Sequence, residues 1–88
     1  MGQLRVTPEQ LHGRASEYRA QGAEVESVIA KLDSLIGVLE SEWEGNSATR
    51  YISQYSDLRP SFVSMRELIA DLASELDQEA NKFEAADS

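Results

Sequence analysis

Three carboxylates in the second half of the chain, Asp71, Glu75 and Glu79, follow one another at intervals of four, the spacing that sets side chains on one face of a helix. In a bundle core such a run could hold metal, but di-metal sites of the ferritin type also use two Glu-x-x-His units. The sole histidine, His12, lies near the other end of the sequence, and there is no cysteine. One imidazole cannot supply the several nitrogen or sulfur ligands of a structural zinc site. No nucleophile is paired with a base, and no Gly-rich stretch is suited to cradling phosphate. The expectation is a protein without catalysis, metal or cofactor.

The residues left to do chemistry are those of recognition. Trp43, Glu44 and Gly45 stand at mid-chain, with Glu40 and Glu42 just before them. These acids would crowd the C-terminal end of a helix, where the helix dipole disfavours negative charge. A solvated acidic face eased by Arg50 across the turn accounts for them, and a basic partner would be an alternative. Trp43 reads as the end of an apolar stripe with or without a recognition role. Tyr18, Tyr51 and Tyr55 read as core residues whose hydroxyls reach water.

These residues have to be positioned by helices. Thr7, Pro8 and Gln10 make a helix start: threonine as N-cap, proline where its missing N–H costs nothing, and glutamine closing a capping box. A stripe then runs through Leu11, Ala15, Tyr18, Gly22, Val25, Ile29, Leu32, Ile36, Leu39 and Trp43 in alternating steps of four and three. That spacing keeps one face against a partner helix. Gly22 costs the helix about 1 kcal/mol relative to alanine, which a close helix approach or a bulky neighbour would explain.

Gly45 is suited to the residue after a helix end, and Asn46 or Ser47 to capping a new helix. A second stripe follows: Ala48, Tyr51, Tyr55, Leu58, Phe62, Met65, Ile69, Leu72, Leu76, Glu79 and Phe83. Pro60 falls inside it, which predicts a bend near Leu58 or Arg59 with the helix resuming in phase, a complete break being the alternative.

The predicted fold class is all-α: one domain over residues 1–88, with helix 8–43, turn 44–46, helix 47–84 and a short acidic tail. Two long helices joined by a short turn lie antiparallel. Val28, Leu35 and Val38 on the first helix, with Ile52 and Leu68 on the second, widen the apolar face beyond what one partner helix can cover. They are the candidate dimer interface, through which a second hairpin would complete a four-helix bundle as a twofold homodimer. A chain this small buries only about 60% of its unfolded surface, and without cysteine or a metal site the remaining remedy is oligomerisation.

Charge narrows the partners. Sixteen acidic against eight basic residues give a net charge of -8 and a pI near 4.5, so the surface repels nucleic-acid backbones and anionic headgroups. Hydrophobic content of 41%, strongly patterned, argues against a disordered acidic tail. No stretch approaches the roughly 20 apolar residues of a membrane span, and residues 1–8 lack the pattern of a secretory signal. The expectation is a soluble protein made in the cytoplasm, with no nucleic acid bound and no stable membrane insertion.

A cysteine-free helical hairpin of this size with Trp43-x-Gly45 at its turn resembles the WXG family, proteins like the early secreted antigenic target of mycobacteria. The resemblance covers essentially the whole chain. It implies a homodimer or a heterodimer with a paralogous WXG protein, exported from Gram-positive bacteria by type VII secretion without a cleaved signal and recognised by a membrane-anchored FtsK-type ATPase. It also implies a composite export signal in which Trp43 and Gly45 act with a Tyr-x-x-x-Asp/Glu element. Here that element reads Phe83-Glu84-Ala85-Ala86-Asp87, with Asp87 matching and Phe83 departing by a hydroxyl. The competing expectation is an intracellular coiled-coil adaptor that binds another helical protein through the same apolar face.

Overall fold

A computed structural model describes residues 6–87, Asp87 by its backbone alone. Within them the chain forms two helices, α1 (Pro8–Glu42) and α2 (Asn46–Asp87), and no strand. The first starts as its sequence dictates. Gln10 N–H donates to Thr7 Oγ1 at 3.1 Å while Thr7 N–H donates to Gln10 Oε1 at 2.9 Å, so the capping box closes both ways. It ends one residue before Trp43.

The second helix begins differently from expectation. Gly45 has φ of 126°, a region that side chains rarely enter. Its carbonyl accepts the Thr49 N–H at 3.2 Å and the Thr49 hydroxyl at 3.3 Å. Gly45 therefore occupies the N-cap position expected of Asn46 or Ser47. A residue free to take a positive φ can end one helix and begin the next, and the three-residue turn shifts by one position, from 44–46 to Trp43, Glu44 and Gly45. The helix then runs unbroken through Pro60. It reaches Asp87, so residues 85–87 of the expected tail belong to its last turn.

The helices pack as two compact units: the described parts of Met1–Gly22 with Glu67–Ser88, and Ala23–Arg66, which holds the turn. In the first, Ala15, Ala73 and Ala80 are buried and Leu11, Ile69, Leu76 and Phe83 are half-buried around them. In the second, Ile29 and Ala48 are buried, flanked by half-buried Val25, Leu32, Ile36, Leu39, Ile52, Tyr55 and Phe62. Alanine dominates because it lets two helix backbones approach closely while burying little apolar surface itself. Gly22 belongs to the same device: a Cβ built there would meet Ile69 Cγ2 at 3.4 Å, so the isoleucine covers the gap.

The inward stripe of α1 matches expectation apart from Tyr18 and Trp43, which are exposed. That of α2 does not. Tyr51, Leu58, Met65 and Leu72 face out, and the inward register is Ala48, Ile52, Tyr55, Arg59, Phe62, Arg66, Ile69, Ala73, Leu76, Ala80 and Phe83. The two arginines run along the seam and carry their heads to acids on α1, Arg59 to Asp33 and Arg66 to Glu26. Long basic side chains do this readily, covering apolar surface with their stems.

Candidate recognition sites at the turn and the last turn of the second helix

At the turn, the end of α1 hands Trp43 to the surface. Its ring packs on Tyr51, one turn into α2, with centroids 5.7 Å apart and planes tilted by 33°. The Arg50 guanidinium stands 6.0 Å from the Tyr51 centroid, at the outer limit of cation–π reach. Trp43 is 39% and Tyr51 51% exposed, so this aromatic pair is not the end of a core stripe. Glu40, Glu42 and Glu44 are exposed around it, and no basic residue lies in the last turn of α1. Nothing stands within 4 Å of a Cβ built on Gly45. The constraint at Gly45 is backbone conformation, not space.

At the other candidate site the helix itself sets the geometry. Because α2 continues through Asp87, Phe83 and position 87 are one turn apart on one helical face. Phe83 is half-buried. The Asp87 side chain lies outside the described residues.

Of the candidate interface residues, Val28, Leu35 and Val38 are exposed in the turn-side unit, and Leu68 in the other, with Leu35 at 62% and Leu68 at 60%. Ile52 departs from that set: it falls on the inward register and is half-buried. In exchange, Tyr51, Leu58 and Met65 join the exposed residues of the turn-side unit. Within the turn-side unit, Val28, Leu35 and Val38 on α1 and Tyr51, Leu58 and Met65 on α2 each lie one before or three after an inward residue. In helices running opposite ways, that offset turns both sets toward one broad side.

Among the described residues no group of three or more His, Asp or Glu side chains is arranged to hold a metal. Nor, among the described residues, is any helix long and apolar enough to cross a membrane.

Two polar clusters escaped the sequence reading. In the turn-side unit Asp33 accepts Arg59 Nε and Nη2, each at 2.9 Å, and the Tyr55 hydroxyl at 2.6 Å. In the unit of the chain ends, His12 bridges Asp77 and Glu84, and Arg19 shares Asp77. Their partners are too distant in sequence for any local motif. The available signal was the turn: folding the chain about Gly45 brings Asp33 opposite Arg59, and His12 opposite Asp77.

The WXG100 family model, described as proteins of 100 residues with WXG, matches residues 3–88. Protein YukE of Bacillus subtilis (strain 168) is 41% identical over 86 residues, covering 98% of this chain and 89% of that protein. The type VII secretion system extracellular protein A of Staphylococcus aureus (strain USA300) is 20% identical over 87 residues, 99% of this chain and 90% of that one. Among solved structures, EsxA of Geobacillus thermodenitrificans superposes with a TM-score of 0.89 at 38% identity, over 99% of this chain and 94% of that chain.

Proposed function

The chain belongs to the WXG100 family, and from that premise we propose that it is a substrate exported by type VII secretion as a homodimer, selected by a composite signal formed only when two copies pair. The observation that carries the reading is the turn: an exposed tryptophan held on Tyr51, next to a glycine in a conformation that other residues rarely adopt. A tryptophan kept partly in water forgoes burial that its large ring would otherwise contribute. Recognition by another protein is the compensating use. The name of the staphylococcal relative, a type VII secretion system extracellular protein, supports the route.

The second copy is favoured by the broad side bearing Val28, Leu35, Val38, Tyr51, Leu58 and Met65. These are large apolar residues that a two-helix layer leaves in water. In an antiparallel pair of hairpins, the turn of one copy approaches the chain ends of the other. Trp43 and Gly45 of one copy then act with Phe83 and Asp87 of its partner. Two weak linear signals become one surface, and an FtsK-type ATPase reading that surface would select folded dimers. Such a protein acts by binding, not by catalysis.

The test is a complementation between two defective chains, one carrying Trp43→Ala and the other Asp87→Ala, each with its own tag. Either alone loses its signal at both ends of the homodimer and stays in the cells. Co-expressed, they form a mixed dimer in which one end keeps an intact Trp43 with an intact Asp87, and both tags reach the medium. Secretion of the Asp87→Ala chain alone at the unmodified level would remove position 87 from the signal. Recovery of the unmodified protein only from lysate would favour an intracellular adaptor instead.

A further inference from the structure

In the unit of the chain ends, one ring spans the two helices. His12 Nδ1 stands 2.7 Å from Asp77 Oδ1, and Nε2 stands 3.1 Å from Glu84 Oε1. The two acids are two turns apart on α2, and the second Asp77 oxygen accepts from Arg19 of α1. Both ring nitrogens thus face carboxylate oxygens, which have no hydrogen to give when ionised. A neutral imidazole has a single N–H, so one of the two contacts would set a lone pair against a negative oxygen. Only the imidazolium satisfies both.

We propose that His12, Asp77 and Glu84 form a proton-operated clasp, which ties the last turns of α2 to α1 while the ring is cationic and lets Glu84 go when the ring is neutral. The charged groups of this end decide which arm opens. From α2 the ring meets Asp77 and Glu84. On α1 Glu9 lies one turn before it, and Arg19 lies two turns beyond. Lys82 turns instead to Glu79, and Arg14 to Glu17. Arg19 holds Asp77 as a charged acceptor whatever the state of the ring, so the neutral tautomer keeps its N–H on Nδ1. The Nε2 lone pair is then left facing Glu84.

The direction of titration agrees with the geometry. The hydrogen bond to Asp77 raises the His12 pKa above its ordinary 6.5, with burial opposing and Glu84 adding to the rise. The same His12 contact, followed by Arg19, lowers the pKa of Asp77. A raised histidine contributes its stabilisation fully below 6.5 and loses it as pH rises through the raised value. The depressed Asp77 loses its contribution only as pH falls through its own lowered value. The clasp is therefore whole in mildly acidic solution and opens on the alkaline side. The segment it frees carries Phe83. The clasp does not depend on the export reading.

The experiment is a titration of the full chain by NMR of the His12 ring, with amide exchange followed alongside between about pH 5 and pH 9. The ring midpoint is expected above 6.5 and lower in Glu84→Gln than in the unmodified chain. Amide protection around residues 81–86, corrected for the intrinsic pH dependence of exchange, is expected to fall severalfold across that midpoint. In His12→Gln, which carries no titrating ring, this step disappears. A midpoint at or below 6.5 would overturn the clasp, as would a midpoint indifferent to Glu84→Gln. Protection that stays flat through the transition, or that steps equally in His12→Gln, would overturn it too.

Discussion

Asp33 gathers three donor hydrogens from α2, two from the Arg59 fork and one from the Tyr55 hydroxyl. The Arg59 hydrogen bond, then that of Tyr55, brings its pKa down to about 2, and in return Tyr55 and Arg59 are both pushed up. A depressed carboxylate stabilises the fold above its ordinary value of 3.8 and ceases to as pH falls through about 2. The cluster is partly exposed to solvent, which keeps its contribution modest. Asp33→Asn is expected to lower the melting temperature at neutral pH and to flatten the fall in stability between the two values. Thermal melts of both proteins across that acid range check this, and parallel curves would show that Asp33 titrates without consequence. None of this cluster was legible locally, since a lone aspartate on a half-polar stretch resembles any solvated acid. Trp43 shows the opposite: its position at a helix end was legible, its exposure was not, because a pattern of spacing cannot say whether the last member of a stripe has anything to lie against.

At the scale of the element, both helices, the capping box and the central turn were readable because they depend on neighbours in sequence. The face of α2 was misread for a physical reason. Its true seam contains three alanines and two arginines, so a count of large apolar residues favours the neighbouring stripe through Tyr51, Leu58, Met65 and Leu72. Close packing rewards small side chains and tolerates arginine stems, whereas hydropathy counts neither. Pro60 likewise removes one hydrogen bond without ending the helix, which continues for many turns on either side. Gly22 tests the close-packing account. It lies inside α1, where alanine is favoured by about 1 kcal/mol, and the added methyl would meet only Ile69 Cγ2 at 3.4 Å, an ordinary contact. Gly22→Ala is therefore expected to stabilise the fold by about 0.5 to 1 kcal/mol, read from chemical denaturation. A loss of stability would mean that the helices close here more tightly than one methyl allows. Gly45→Ala is the contrasting change, since φ of 126° makes it costly although nothing stands near the new methyl.

At the scale of the whole molecule, the buried residues of the described chain are four alanines and one isoleucine, less apolar surface than a stable independent fold ordinarily hides. The large side chains that could supply the difference are on the surface. The thinness of the core was legible in length and composition, while the membership of the exposed apolar face was not, because it followed from the α2 register. Leu35 is the sharpest probe: it is 62% exposed, so replacing it disturbs the isolated hairpin little. A twofold pair would bury it twice. Leu35→Asp places a charge in that contact on both copies, at a cost of at least about 2 kcal/mol for unpaired polar burial, which weakens association by more than about tenfold. Sedimentation equilibrium is expected to show the unmodified protein as a dimer at micromolar concentration and Leu35→Asp shifted toward monomer, with loss of helix as the monomers dilute. Ser53→Asp, also exposed but turned by the α2 register to the other broad side, is expected to leave association unchanged. Equal weakening by both substitutions would point to charge repulsion in a chain already at -8, and a monomeric unmodified protein would mean that this face serves a different partner.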